Sequence, residues 1–112
     1  MEKIKAFRGS LTSDFLNQIS EFASQTDVTA KSIGGGIVRT SFDTIITIGF
    51  TEEPNTKKII IETIQAGNAK EAWFDRLQDR LTEIVDSHDN IICHEILIDE
   101  KFDIYVLIMK VV

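Results

Sequence analysis

The sequence has one cysteine and one proline, and its anions outnumber its cations. A single thiol excludes an internal disulfide framework and suits a reducing compartment. Scarce proline, in a chain of 112 residues that is 43% hydrophobic, excludes a disordered linker and points to a folded globular domain. A net charge of −6 argues against a nucleic-acid partner, which needs a cationic footprint. Long apolar runs are missing too. The longest, Ile104 to Met109, falls far short of the roughly 20 residues that span a bilayer. The opening MEKIKAFRGS lacks the apolar core of a signal peptide. These features predict a cytoplasmic protein without membrane or nucleic-acid partners. The phosphate motifs GxxxxGK[ST] and GxGxxG are absent, and no Ser/His/Asp or Cys/His arrangement has a recognisable form. The expectation is a protein that is not an enzyme and that uses no cofactor.

What is present is periodicity. In the stretch from Gly67 to Ser87, Ala69, Trp73, Phe74, Leu77, Leu81, Ile84 and Val85 fall on one helical stripe. Asn68 is placed to cap that helix, with Glu71 reaching back to it. An earlier helix is predicted from Thr12 or Ser13 to Gln25, with Leu11, Phe15, Leu16, Ile19, Phe22 and Ala23 on its stripe. Strands are predicted at Ile4–Phe7, Val28–Val38, Phe42–Phe50, Lys58–Gln65, Ile91–Ile98 and Phe102–Val112. Gly34–Gly36 interrupt the second strand, and Thr51–Thr56 form a polar connection containing Pro54.

Laid on each other, the halves agree. Gly9, Leu11, Phe15, Leu16 and Ile19 correspond to Gly67, Ala69, Trp73, Phe74 and Leu77, and Phe42-Asp43 to Phe102-Asp103. The reading is one α+β domain made of two similar halves, about 1–52 and 57–112. Each half is strand–helix–strand–strand. Together they would form a tandem βαββ repeat, with a mainly antiparallel six-stranded sheet and two helices on one face. The last strand is apolar on both sides: Ile104, Val106 and Ile108 on one, Tyr105, Leu107, Met109 and Val111 on the other. Either the monomer covers both sides, or the outer one is buried in a homo-oligomer; the second is favoured in so small a chain.

Three groups of residues are candidates for function. Gly34, Gly35 and Gly36 lie between Lys31-Ser32 and Arg39-Thr40-Ser41, where bare backbone and flanking cations and hydroxyls could hold a phosphate. The competing reading is a mobile loop or an edge bulge. Arg76 and Arg80, one helical turn apart, can fork onto an anion, or can pair with Asp79 and Glu83. His88, Cys93 and His94 are zinc-ligand types, but their spacing fits no closed site, so no metal is predicted and Cys93 reads as a core thiol.

The segments GSLTSDFLNQI and TIITIGFTEE, and more loosely AGNAKEAWFDRL and IYVLIMK, resemble dodecins, small flavin-storing proteins of strand–helix–strand–strand subunits that assemble into hollow shells. The resemblance implies that topology, self-assembly and ligand holding without catalysis. It does not bring flavin with it, since the strands at Val28–Val38 and Ile91–Ile98 lack the stacking tryptophan. The functional expectation is an oligomeric binding protein that sequesters or stores a small anionic, nucleotide-like ligand between subunits. Lys31, Ser32, Gly34–Gly36, Arg39, Arg76 and Arg80 would make the contacts. The competing class is an acidic protein–protein interaction module or inhibitor that meets a basic partner.

Overall fold

The computed structural model describes residues 1–37, 43–65 and 73–112. The elements follow in the order β1 (Lys3–Gly9), α1 (Ser13–Ala23), β2 (Thr29–Ile37), β3 (Thr44–Thr51), β4 (Lys57–Ile64), α2 (Trp73–Ser87), β5 (Ile91–Ile98) and β6 (Ile104–Val111). Thr12 caps α1: its hydroxyl accepts the Phe15 N–H at 3.1 Å, satisfying one of the donors that a helix start leaves free. The predicted cap of α2, Asn68 with Glu71, lies outside the described residues, as does Phe42 of the Phe-Asp comparison.

The strands pair antiparallel, but they form two three-stranded sheets and not one sheet of six. The first has the order β1-β3-β2, the second β4-β6-β5. In both, the last strand of the half sits in the middle, and the strand after the helix carries a bulge near its start, at Lys31 in β2 and at Ile92 in β5. The bulge takes Ile92 out of the ladder and leaves it exposed.

The helices do not share one face. The stripe Phe15, Leu16, Ile19 and Ala23 of α1 packs into one core with Ala30, Ile46 and Ile48 of the first sheet and with Ile59, Leu97, Leu107 and Met109 of the second. Leu77, Leu81 and Ile84 of α2 pack on the opposite side of the second sheet, against Ile64, Ile104, Val106 and Ile108. The layers therefore run α2, second sheet, then α1 with the first sheet. Burying each such aliphatic side chain stabilises the fold by about 1.5–3 kcal/mol relative to leaving it in water. Val85 stands one residue round the helix from Ile84, past the edge of the covered row, and remains exposed.

This arrangement accounts for the apolar run of β6. Its odd residues Leu107 and Met109 face α1 and the first sheet, and its even residues Ile104, Val106 and Ile108 face α2. A middle strand covered on both sides has no reason to alternate. The second subunit invoked to cover the outer face of this strand loses its basis, because the same chain supplies the cover.

The polar connection between the halves is a fastening. The Asn55 amide donates to the Ala23 and Gln25 carbonyls at 2.7 and 2.9 Å, satisfying the end of α1, and its side-chain oxygen accepts the Lys57 N–H at 2.8 Å. Thr29, buried at the start of β2, donates to the Pro54 carbonyl at 2.7 Å and accepts the Thr56 N–H at 3.2 Å.

Candidate functional site

The expected site residues come out separated. Lys31 is the exposed bulge residue of β2, and Ser32 is exposed beside it. Gly34, Gly35 and Gly36 are ladder residues opposite Thr47, Ile46 and Ile45, not a loop. A Cβ at Gly35 would lie 2.9 Å from Ile46 Cδ1 and 3.4 Å from Leu97 Cδ2, so this glycine lets β2 approach β5 closely. Arg39 lies outside the described residues. Arg76 and Arg80 belong to α2, so the second sheet stands between them and β2. One chain cannot bring both groups to one ligand.

Arg76 and Arg80 line a cleft of about 490 Å³ with Thr63 and Gln65 at the end of β4 and with Asp79 and Glu83. Arg80 pairs with Glu83 at 3.1 Å, the helical pairing foreseen as its competing role, and lies 3.6 Å from Glu62. The Glu62 carboxylate also meets His88 Nε2 at 2.9 Å. The other two zinc-type residues diverge. His94 is exposed opposite Ile108, while Cys93 turns to the other face and places Sγ 3.9 Å from Met109 Sδ. Burial, with the nearby Glu95 charge, pushes the Cys93 thiol up from its ordinary value, as suits a packed thiol. Among the described residues, no three metal-ligand types come together.

A different cleft, of about 630 Å³, opens between the two sheets at one end of the molecule. The first half contributes Ser10, Leu11 and Thr12 at the entry to α1, and the buried Thr44 at the start of β3. The second contributes Ile98, the turn residues Asp99, Glu100, Lys101 and Asp103, and Tyr105 of β6. The turn is held from within. Asp99 Oδ1 accepts the backbone N–H groups of Lys101 and Asp103, both at 2.9 Å, and the Phe102 N–H donates to the Asp99 carbonyl at 3.0 Å. Phe102 takes a left-handed backbone with φ 64°, a conformation uncommon for an aromatic residue, and these bonds hold it there. Burial, with the charges of Asp99 and Asp103, raises the Tyr105 phenol above its ordinary value, so it stays protonated beside two carboxylates. The arrangement offers hydroxyls from Ser10, Thr12, Thr44 and Tyr105, and three carboxylates against one ammonium.

Sequence reasoning missed this cleft. Its residues read singly as a helix cap, a strand start and a turn, and only the packing of one half on the other collects them. Set against known proteins, the chain matches no family model, no curated protein and no solved structure.

Proposed function

We propose that this protein binds a small polar molecule without converting it, in the cleft between its two halves. The observation that carries the reading is the cleft itself: its volume of about 630 Å³ falls within the roughly 300–1,000 Å³ of small-molecule sites, and both halves line it. Hydroxyls and carboxylates in excess over cations favour a ligand with hydroxyl or amine groups. The strand–helix–strand–strand order of each half, which resembles dodecins, is in keeping with holding a ligand. In this reading the ligand sits within one chain and not between subunits.

A second reading keeps the anionic, nucleotide-like ligand and places it in the cleft of Arg76 and Arg80. The observation favouring it is that these two guanidinium groups, with Gln65 and Thr63, line one opening. It has the weaker footing, because Arg80 already has carboxylate partners.

One experiment separates the two. Native mass spectrometry of protein purified under mild conditions reports retained small molecules, and adding each back to isotope-labelled protein maps its amide shifts. Shifts at Thr12, Thr44 and Tyr105 support the first reading, and shifts at Arg76 and Arg80 the second. A retained molecule that perturbs neither set would overturn both.

A further inference from the structure

The two sheets have four outer edges, and three lie against another element of the chain. Helix α1 lies against β4, where the Ser20 hydroxyl donates to the Ile59 carbonyl at 2.8 Å. Strands β2 and β5 lie against each other, with Gly35 over Glu95 and Leu97. The fourth edge is β1. Among the described residues it pairs with β3 alone, and Lys3, Ile4, Lys5 and Ala6 are all exposed. Half of its backbone N–H and C=O groups therefore point away from β3, a template for one more strand.

The side chains of β1 say what that strand must be. Its sequence KIKAFRG holds three cations and no carboxylate, in a chain whose net charge is −6. Lys3 and Lys5 stand on one face, opposite Phe50 and Ile48; Ile4 and Ala6 stand on the other, opposite Gly49 and Thr47. Ile4 is 75% exposed. Lys3 pairs with Glu52 and Arg8 with Asp43 at 2.9 Å, but exposed pairs of this kind are weak and exchange partners readily. A second copy of β1 is a poor occupant, because it brings three more cations to this edge and no carboxylate within the strand to meet them.

We propose that the outer edge of β1 is a docking site for an extended segment of another protein, one that alternates acidic and apolar residues. The segment adds as a fourth strand to the first sheet. Its backbone satisfies the free edge, its carboxylates flank Lys3 and Lys5, and its apolar side chains cover Ile4 and Ala6. The site is separate from the cleft between the halves and stands or falls independently of it.

The test is a titration of the isotope-labelled protein with a short synthetic peptide alternating Glu and Val, and with its Lys-for-Glu counterpart. The Glu peptide should shift the amides of Lys3 to Arg8, slow their hydrogen exchange, and lose affinity as salt is raised. The Lys peptide should do neither. The exposed double variant Lys3→Glu/Lys5→Glu should bind the Glu peptide roughly tenfold more weakly and should accept the Lys peptide instead. Unchanged amides would mean that the lysines only guard the edge against pairing, and would overturn the proposal. So would equal binding of both peptides, shifts without slowed exchange, or a double variant that binds the Glu peptide as tightly as the parent.

Discussion

Asn55 makes three hydrogen bonds from one side chain, two to the end of α1 and one to the start of β4. Each such bond is worth a net 0.5–1.5 kcal/mol, so losing all three in Asn55→Ala should cost about 1.5–4.5 kcal/mol, read as a lower midpoint in urea. Asn55→Asp keeps the acceptor for the Lys57 N–H but turns a carboxylate oxygen toward the Ala23 and Gln25 carbonyls at the negative end of α1, and should cost at least as much as Asn55→Ala. A variant as stable as the parent would mean that water replaces all three bonds. Tyr105 allows a second test at this scale, because it is the only tyrosine and phenolate absorbance reports it alone. Burial between the sheets, then the charges of Asp99 and Asp103, put its folded value above the usual 10.0. A value raised on folding contributes stability that is full below the unfolded value and is lost as pH rises through the folded one. Unfolding experiments should therefore show a loss above pH 10.0 that Tyr105→Phe lacks. Titration at or below the usual value would place the phenol in open water. Neither role was legible in the sequence. TEEPNT reads as a polar connection and IYVLIMK as a strand, but which carbonyls and carboxylates lie nearby depends on contacts distant along the chain.

Among the elements, the glycine triplet shows where sequence and structure part. Three glycines between cations read as a segment free to cradle a phosphate, because glycine removes the local pattern from which a strand is recognised. Pairing with β3 makes it a strand, and Gly35 is the glycine of the three whose added Cβ would meet the core, at Ile46 of β3 and Leu97 of β5. Gly35→Ala would press on Ile46, which has no exposure and cannot retreat, and should destabilise by about 1–3 kcal/mol. Gly36→Ala meets nothing within 4 Å and should be tolerated, because added bulk there points into open space. Thermal melts of the two variants side by side check this, and equal melting points would mean that Ile46 has room for the added methyl. The helices and most strands were legible because amphipathic periods of 3.6 and 2 are local. The run Ile104–Met109 was legible as buried on both sides. It was not legible as buried by its own chain, since that requires knowing that the strands divide into two sheets.

At the scale of the whole molecule, the division into halves by sequence is not a division into separate cores. The first sheet takes all its strands from residues up to Thr51, and the second all its strands from Lys57 onward. Yet Ile46 and Ile48 from the first half share one cluster with Ile59, Leu107 and Met109 from the second, and α1 packs into both groups. Neither half can unfold without exposing the apolar surface of the other, so the chain should unfold as one cooperative unit. Ile46→Ala tests this. It removes a fully buried side chain from the first sheet and should cost about 2–5 kcal/mol. The only tryptophan, Trp73, belongs to α2 in the second half, so its fluorescence follows the half that the substitution does not touch. With one shared core, the fluorescence midpoint and the circular-dichroism midpoint should move together and by the same amount. A fluorescence transition that stays where it was while the dichroism curve splits in two would mean that each half folds alone. In that case the cleft between the halves would have no fixed walls, and the binding site proposed for it would go with them.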